Sequence, residues 1–529
     1  MKKILSIFMM AMLLFTCVAC GQTPPDEGTD IVIYAGGSSE FSWVAGQNEQ
    51  AVIDYIEDKY YQDTQIRLNF KTNLTLGKSM KDSITQDVRE GKVDVVISHT
   101  SGGDGIDDWA LKEDVYYDLS SYVDDYFEDA IDDGKFTWTD GEMTIDAIQR
   151  LTTEEMDVIG IPSVINPYKF GILVRKDWME QAGYTDDIND TSKTYVGDFE
   201  TFTAMAKAMK VQQNLSYVIT GAMFDVEKAG LLGACGINAG YYTNTVYTEG
   251  EKTYVGPGYI NPKYKDVLAI EYEWSKERLL AADCDNIYLS QGEQTFISGQ
   301  TGIFLQDPTI THLIEVARKA KKADPNAEFT VLGALTKDKT STDKGFMRNS
   351  IATFGAMITK TSTKTKEIMK FMKWVYSSKE NYLLCKYGRE GIDWTYDQAN
   401  NTYDYLVGDY TNPPYSGILT LVENQAMADL QYAGYSAEEK AWIQTARNKD
   451  NYVKNDTIDY LLHTNNAELL NLKGNQAVII SGTIRPIWNG GDQVNDIATE
   501  FETARASYMT NANAYITAMN TIYNNLKNR

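Results

Sequence analysis

Strands and helices alternate over the first hundred residues of this chain, and that order limits the folds it can adopt. Short apolar stretches predict strands, and longer segments with apolar residues at helical spacing predict helices. The pattern predicts strands at 30–34, 65–69 and 93–97, with helices at 50–61 and 79–90 between them. Strand–helix–strand units of this kind build parallel sheets with right-handed crossovers. The sequence therefore indicates an α/β fold.

The loops that follow two of these strands are rich in glycine and serine. Residues 35–39 read Ala-Gly-Gly-Ser-Ser, and residues 98–103 read Ser-His-Thr-Ser-Gly-Gly. In open parallel sheets, ligands bind outside the carboxyl ends of the strands. We therefore expect a ligand site where these two loops meet.

Further strands and helices follow, up to a long helical tail. The apolar spacing predicts a strand and a helix start at 169–178, a helix at 198–211, a turn and strand at 296–305, and a strand at 355–360 before a helix capped by Thr363. The tail at 496–526 reads as one amphipathic helix, with an apolar stripe that indicates packing. No motif that we can place follows Asp397.

The amino terminus has the features of an export signal. Two lysines precede an apolar stretch at 4–19 that is too short to span a bilayer. The small residues before Cys20 resemble a bacterial lipobox, although Cys17 stands where leucine is usual. We expect a signal peptide at 1–19, lipid on Cys20 and a flexible tether at 20–29. The lipid would anchor the exported protein to the outer face of the cell membrane. Simple secretion is the alternative.

The charge balance argues against nucleic-acid partners. The chain has 74 acidic and 49 basic residues and a net charge of -25. Removal of Lys2 and Lys3 with the signal leaves 47 basic residues and a net charge of -27. A chain this acidic repels phosphate backbones and anionic lipid surfaces. We expect no nucleic-acid partner, and membrane contact only through the N-terminal lipid.

The residue types that bind metals do not form a metal motif. The 3 histidines are far apart in the sequence, and Cys235, Cys284 and Cys385 form no closely spaced pair. An odd, sparse set of cysteines indicates buried thiols rather than a disulfide framework. The acidic stretch at 104–133 lacks the spacing of a calcium loop and reads as a solvated face. We expect neither a metal nor a cofactor.

Several passages occur in an order that is known from one family. The first is Val-Asp-Val-Val at 93–96, which leads to the segment 115–120. The second is Ile-Gly-Ile-Pro at 159–162, followed by Gly-Ile-Leu-Val-Arg-Lys-Asp-Trp at 171–178, and the third is Phe-x-x-Gly-x-x-Gly at 296–302. The fourth is Tyr-Ser-Ser-Lys-Glu at 376–380, followed by Tyr-Gly-Arg-Glu-Gly-Ile-Asp-Trp at 387–394. With the lipobox, this order resembles the extracellular solute-binding lipoproteins of bacterial ABC importers, of the carbohydrate- and oligosaccharide-binding (family 1) type. The resemblance covers about residues 31–394.

The resemblance implies a two-lobed, periplasmic-binding-protein-like fold whose hinge-connected lobes close around ligand. The lobes would be discontinuous in sequence. Lobe 1 would comprise 30–166 plus 307–350, and lobe 2 would comprise 167–306 plus 351–529 with extra C-terminal helices. Crossings are expected near 162–170, 304–308 and 349–354. Some relatives carry a calcium loop after the Lys-Asp-Trp helix, but the spacing at 184–190 departs from it.

Sugar-binding clefts combine flat aromatic faces with side chains that bond to pairs of hydroxyl groups. Near the predicted strand ends and crossings, the aromatic candidates are Trp43, Tyr168, Tyr241, Tyr242 and Trp394. The polar candidates are Ser38, Glu40, His99, Asp104, Asp307, Arg348, Asn349 and Glu390. Packing is the alternative for each aromatic residue. A turn or cap role is the alternative for Asp307, and for Glu390 we favour a structural role in the Tyr-Gly-x-Glu-Gly turn.

The predicted function is the capture of a sugar, an oligosaccharide by the resemblance, and its delivery to an ABC permease. We expect a monomer without enzymatic activity. A binding protein of the same fold for another solute, such as a peptide, is one alternative. A secreted glycoside hydrolase is another, since such enzymes need two carboxylates. Against it, the strand–helix units lack the eightfold order of a barrel, and no Gly-x-Ser-x-Gly elbow is present.

Overall fold

In a computed structural model of the chain, two main sheets form, each with its own hydrophobic core. The structure describes residues 28–36, 43–75, 86–99, 114–132, 151, 153, 157–164, 169–221, 227–237, 244–250, 252–280, 289–306, 308–347, 354–424, 427, 430–453 and 496–527.

The strands, numbered in chain order, are β1 (Thr29–Gly36), β2 (Leu68–Thr75), β3 (Val95–His99), β4 (Ile161–Val164), β5 (Ile172–Arg175), β6 (Tyr184–Thr185), β7 (Thr194–Tyr195), β8 (Ile219–Thr220), β9 (Asn244–Glu249), β10 (Lys252–Pro257), β11 (Ile303–Phe304), β12 (Phe329–Leu332), β13 (Phe346–Met347), β14 (Phe354–Ile358), β15 (Trp394–Asp397), β16 (Thr402–Tyr405), β17 (Gln431–Tyr432) and β18 (Tyr452–Val453). The helices are α1 (Glu49–Thr64), α2 (Ser120–Asp132), α3 (Lys176–Gln181), α4 (Phe199–Gln212), α5 (Leu232–Ala234), α6 (Tyr264–Lys276), α7 (Leu289–Ile297), α8 (Ile310–Ala323), α9 (Thr365–Ser377), α10 (Lys379–Tyr387), α11 (Ala437–Arg447), α12 (Ile497–Asn511) and α13 (Asn513–Lys527).

The first sheet has five strands in the order β2-β1-β3-β14-β4. β2, β1 and β3 run parallel, as the alternation predicts, whereas β14 pairs antiparallel with β3 and β4. The α/β prediction is therefore confirmed. The sequence placed β1 and β3 within two residues of their observed bounds, but β2 begins three residues later than expected.

The core of the first sheet follows from the patterns of its strands and helices. Alternate residues of β1, including Ile31 and Ile33, point into one face of the sheet and are fully buried. Helix α1 covers that face with Val52, Ile56 and Tyr60, which recur at helical spacing. Helices α2, α9 and α10 complete the same core.

The second sheet has four strands in the order β12-β5-β11-β8. β5 pairs antiparallel with β12 and β11, and β11 runs parallel to β8. Every residue of β5 and β12 is buried, because helices cover both faces. Helix α6 contributes Trp274, whose indole N–H donates to the hydroxyl of Thr203 on α4 (2.7 Å).

Strand pairing divides the chain between the lobes differently from the sequence-based expectation. α8 and β12 pack in the core of the second sheet, so residues 308–347 belong to lobe 2 rather than lobe 1. β14, α9 and α10 pack in the core of the first sheet, so residues 354–424 belong to lobe 1 rather than lobe 2. The C-terminal helices α12 and α13 pack on the core of the second sheet.

The crossing expected at 304–308 does not occur. The N–H of Gly171 donates to the carbonyl of Pro308 (2.9 Å), and the N–H of Ile310 donates to the carbonyl of Lys169 (2.5 Å). The chain therefore turns back beside 169–171 and stays in lobe 2. The two remaining crossings follow β4 and β13, where the chain passes from one sheet to the other.

A crossing that the sequence analysis missed lies between β17 and α11. β17 pairs with β16 in lobe 1, whereas α11 packs on the lobe 2 core. Between them, Tyr432 contacts the cores of both lobes. Its ring centroid lies 5.6 Å from that of Tyr410 and 5.4 Å from that of Tyr435. We call Tyr410, Tyr432 and Tyr435 the tyrosine junction.

The helical tail forms two helices rather than the single helix expected at 496–526. α12 ends before Ala512, and α13 begins directly after it. Asp496 caps α12 by accepting hydrogen bonds from the backbone of Ala498 and Thr499. The cap predicted at Thr363 is wrong, because Lys364 occupies the N-cap position of α9. Within the part of the chain that the structure describes, no helix is long and apolar enough to cross a bilayer.

Candidate ligand cleft between the lobes

One edge of the lobe 1 sheet collects the ends of four strands. β1 ends at Gly36, β3 ends at His99 and β4 ends at Val164, while β14 begins at Phe354. The backbone of Phe354 pairs with both His99 and Val164, so these ends are neighbours. Six predicted ligand-binding residues lie outside the described residues but adjoin these strands in the sequence: Ser38 and Glu40 follow β1, Asp104 follows β3, Tyr168 follows β4, and Arg348 and Asn349 precede β14.

Lobe 2 presents a comparable edge. β5 begins at Ile172, and the antiparallel β11 ends beside it at Phe304. β8 is parallel to β11 and therefore ends at the same edge, at Thr220. Three predicted site residues of this lobe lie outside the described residues: Tyr241, Tyr242 and Asp307.

The chain itself holds the two edges near each other. It passes from Val164 in lobe 1 to Lys169 beside β5 in five residue steps. Because an extended chain spans at most about 3.6 Å per residue, these two residues lie within roughly 18 Å. Ligands of open α/β sheets bind at such strand ends. We call the space between the two sheet edges the interlobe cleft.

Two polar side chains that the sequence analysis missed lie at the lobe 2 edge of this cleft. Thr220 ends β8 and Gln306 follows β11, and both are buried. They converge on Gly292 of α7, where a Cβ atom would lie 1.7 Å from Oε1 of Gln306 and 3.1 Å from Oγ1 of Thr220. The sequence signal is a glycine inside a helix, which marks a close approach. Thr220 is 1% and Gln306 is 3% exposed, so the pair packs α7 onto this end of the sheet rather than presenting polar groups to a ligand.

Trp43 lies beside the cleft edge of lobe 1, but its ring is buried in the protein and is not exposed to the cleft. Its side chain is only 3% exposed, and its ring meets Phe354 edge-to-face with centroids 6.3 Å apart. A stacking platform needs an open ring face. The expected sugar contact is therefore not supported, and packing against the first residue of β14 explains the tryptophan.

Trp394 is also a core residue and not a platform. It is 1% exposed, its indole N–H donates to the carbonyl of Gly388 (2.9 Å), and its ring lies 5.2 Å from that of Tyr387. Gly388 has a φ of 92°, which glycine adopts without the strain of a side chain. The Tyr-Gly-x-Glu-Gly motif thus folds into a turn whose tryptophan closes over it.

A buried carboxylate locks the same turn. Asp393 accepts hydrogen bonds from the guanidinium of Arg389 at 2.8 and 3.0 Å, and from the side-chain amide of Asn48 at 2.7 Å. Burial opposes the charge of Asp393, but these hydrogen bonds outweigh it and hold the carboxyl pKa below its ordinary value. Asn48 precedes α1, so the turn fastens the end of α10 to the start of α1.

Glu390 is exposed on this turn. It lines a surface cavity of about 700 Å³ together with Tyr55 and Lys379. Both the structural role favoured for Glu390 and its ligand contact remain predictions. His99 is the last residue of β3, so its backbone lies at the cleft edge.

The acidic loop between β6 and β7 is held by the protein's own donors. Asp190 accepts from the backbone and hydroxyl of Ser192 (3.0 and 2.5 Å), and these bonds lower its carboxyl pKa. The ammonium of Lys193 lies 3.1 Å from Glu180 and 3.6 Å from Asp190. Within the described residues, no group of three acidic, histidine or cysteine side chains could hold a metal ion.

Comparison with known proteins adds a fold but no sequence relative. No protein-family model matches the chain, and no curated protein matches it. Three solved structures each cover 94% of this chain and 99% of their own at 12% identity. They are an HMO-binding, ABC-transporter-associated solute-binding protein from Bifidobacterium longum infantis (TM-score 0.64), an alginate-binding protein (0.59) and an N-glycan transport solute-binding protein from Streptococcus pneumoniae (0.57).

The chain has the fold of a solute-binding protein. The match extends over nearly the whole of both chains, so it includes the two sheets and the helices around them. This agrees with the two-lobed, hinge-connected fold that the motif order implied. In a solute-binding-protein fold, the interlobe cleft is the concave site that hinge closure can seal.

Proposed function

We propose that this chain is the substrate-binding lipoprotein of an ABC importer, which captures an oligosaccharide in the interlobe cleft and delivers it to a membrane permease. The fold match over 94% of the chain carries the proposal, because the matched structures are described as binding HMO and alginate or transporting N-glycans. The motif order at 93–394 supports the same conclusion independently.

The ligand site would be built from loops of both cleft edges. Lobe 1 would contribute Ser38, Glu40, His99 and Asp104, lobe 2 would contribute Tyr241, Tyr242 and Asp307, and the two crossing segments would contribute Tyr168, Arg348 and Asn349. Carboxylates, amides and a guanidinium bind pairs of sugar hydroxyls through planar, often bidentate hydrogen bonds. Tyrosine rings offer apolar faces to the C–H surfaces of the sugar. No carboxylate pair is assigned a catalytic role, so the protein would act by binding alone.

A thermal-shift screen tests the ligand class. A ligand that binds only the native state stabilises it by mass action, by about 2.7 kcal/mol at one hundred times its dissociation constant. We expect the melting temperature to rise with one or more of HMO, N-glycan, alginate or fructan oligosaccharides, and not with peptides of similar length. A rise with peptides alone would contradict the sugar assignment. Release of shorter sugars during incubation would contradict the binding-only role.

A matched pair of arginine variants tests the site. Arg348→Ala, between β13 and β14 in the sequence, should weaken oligosaccharide binding by at least tenfold, which is about 1.4 kcal/mol. Arg67→Ala is the control, since Arg67 precedes β2 at the edge opposite the cleft. Isothermal titration of both variants measures the effect. Equal affinities for the two would remove Arg348 from the site.

The membrane anchor has its own test. Cys20 is proposed to carry a diacylglyceryl group, and Cys20→Ala should leave the protein unprocessed or released from the membrane. Mass spectrometry of the membrane-extracted protein detects the lipid. Normal maturation and membrane retention of Cys20→Ala would exclude the lipoprotein assignment. Size-exclusion chromatography with light scattering tests the proposed monomer.

A further inference from the structure

A second cavity lies beside β12, the outermost strand of the lobe 2 sheet, away from the interlobe cleft. β12 is the last strand of that sheet, and within the described residues it pairs only with β5. The N–H of Lys176 donates to the carbonyl of Glu328 (2.8 Å), which sets the hydrogen-bond alternation of the pair. By that alternation, Phe329 and Val331 turn their N–H and C=O groups away from β5. Residues 329–335 line a cavity of about 500 Å³ on that outer side.

The outward backbone groups of Phe329 and Val331 have no hydrogen bond to any described residue. Both residues are 5% exposed. Buried backbone groups in proteins are almost always bonded to protein, water or ligand. Within the described ranges a helix rather than another strand covers this side of β12, so water or a ligand in the cavity can reach these groups.

One wall of the cavity is α11, which is firmly fixed. Ser436 and Glu439 form a reciprocal capping box at its start. The guanidinium of Arg318 on α8 donates to both oxygens of Glu439, at 2.6 and 2.8 Å. Behind this fixed first turn, Trp442 and Thr445 face the cavity. The wall is therefore preformed and does not need a ligand to build it.

The opposite wall presents an aromatic face. Tyr195 lines the cavity and is 42% exposed, and a Cβ atom at Gly197 would lie 2.6 Å from Cε1 of its ring. The missing side chain at Gly197 thus lets the ring lie against the backbone. Burial and, after it, the charge of Asp186 raise the pKa of Tyr195, so its phenol stays neutral. Asp186 itself accepts a hydrogen bond from the hydroxyl of Thr330.

We propose that this cavity is a second carbohydrate site, which holds one sugar unit between Tyr195, the outward backbone of β12 and α11. An aromatic face beside backbone donors and acceptors, amides and carboxylates is the set that binds sugar hydroxyls and ring C–H groups. Its lining includes Lys176, Lys344, Asp186 and Glu438, so its charges balance and favour a neutral ligand. The volume lies within the range of about 300–1,000 Å³ typical of small-molecule sites.

Two pairs of variants test this site on the full chain. Tyr195→Ala removes the aromatic face, and its control Tyr55→Ala removes a tyrosine of similar exposure (48%) in lobe 1. Ala441→Leu fills the cavity from α11, and its control Gln444→Leu changes an exposed position of the same helix outside the cavity lining. The probes are D-glucose, D-galactose, D-mannose and N-acetyl-D-glucosamine, observed by saturation-transfer NMR.

We expect at least one probe to bind about tenfold more weakly to Tyr195→Ala and to Ala441→Leu than to either control. Arg348→Ala, in the proposed cleft, should leave this binding unchanged, so failure of the cleft proposal would not affect the result. Equal binding by all variants, or binding lost only in Arg348→Ala, overturns the second site, and so does the absence of any monosaccharide signal. Melting temperatures of the four variants confirm that each is folded.

Discussion

The rings around Trp394 and the rings of the tyrosine junction are both packed aromatic groups, but the first group lies within lobe 1 and the second joins the two lobes. Trp394 and Tyr387 are both less than a tenth exposed and contact residues of the lobe 1 core. Tyr432 is half-buried and contacts the cores of both lobes. The first group contributes to the stability of lobe 1 in every lobe arrangement. The junction contributes only to arrangements that bring Tyr410 of lobe 1 against Tyr435 of lobe 2.

The two groups of rings are therefore expected to affect different properties, the stability of lobe 1 in the first case and the arrangement of the two lobes in the second. Ring burial inside a lobe changes the free energy of unfolding, whereas ring contacts between lobes change the balance between open and closed forms. A guanidinium also lies over the junction, with the Arg318 carbon 5.5 Å from the Tyr435 centroid. Burial is the main cause that raises the pKa of Tyr432 and of Tyr435, so the junction should not respond to pH near neutrality.

The largest expected effect is the loss of ligand-free stability in Trp394→Ala. Removal of a fully buried tryptophan typically costs about 3–5 kcal/mol. Tyr396→Ala is the control, because Tyr396 is only partly buried and its ring centroid lies 6.3 Å from that of Trp394. Urea unfolding without ligand measures both. If Trp394→Ala kept its stability and instead lost oligosaccharide affinity, the ring would be a platform after all.

Asp393→Asn should cost about 2 kcal/mol at neutral pH, because it weakens charge-assisted hydrogen bonds to Arg389 and Asn48. The pKa of Asp393 is depressed in the fold. Its stabilisation is therefore complete above the unfolded-state value of about 3.9 and is lost as pH falls through the lower folded value. Unfolding curves of wild type and variant should converge below about pH 4. A constant gap down to the most acidic pH would refute the charged form as the cause.

Tyr432→Ala should lower the free energy of unfolding by only about 1 kcal/mol, the scale of aromatic pairs beyond their burial. Its main effect should be on lobe arrangement. Small-angle scattering without ligand should give a radius of gyration different from that of wild type, whereas Tyr122→Ala should not. Tyr122 is the matched control, since its ring contacts, to Tyr117 and Tyr126, lie within lobe 1. Identical scattering for both variants would remove the junction from the hinge.

The smallest expected effect belongs to Arg318→Ala. The Arg318 side chain is 44% exposed and that of its partner Glu439 is 10% exposed, and ion pairs open to solvent on one side contribute about 0.2–1 kcal/mol. The loss should shrink at high salt, because screening already weakens the pair in wild type. Lys319→Ala, on the neighbouring exposed position of α8, is the control. A loss that salt does not change would indicate packing over Tyr435 rather than charge.

Local features of the fold could be predicted from the sequence, whereas long-range pairing could not. Apolar spacing placed β1, β3 and α4 closely, because that spacing follows from each element's own buried face. In the sequence, the turn at Pro308 fits a chain that crosses to the other lobe as well as one that returns to the same lobe. The hydrogen bond from the N–H of Gly171 to the carbonyl of Pro308 shows that the chain returns. The α8 segment was therefore assigned to the wrong lobe.

The same limit applied to the candidate site. Trp43 and Trp394 stand near strand ends, where a ring can face either ligand or core. The burial of Trp394 depends on the carbonyl of Gly388 and on the ring of Tyr387 at the end of α10, and that of Trp43 depends on Phe354, more than three hundred residues away. Thr220 and Gln306 were missed because their convergence on Gly292 joins three separate segments.

The direction of β1 has a mechanical consequence for delivery. β1 runs from Thr29 to Gly36, so the chain enters lobe 1 at the end opposite the cleft. Nine residue steps lead from Cys20 to Thr29 and reach at most about 30 Å. A globular chain of this length has a radius of gyration of roughly 24 Å. If Cys20 carries lipid, this tether would be shorter than the molecule is wide, and the cleft would face away from the bilayer. The protein would then have to rotate about its tether to present a bound ligand to the membrane.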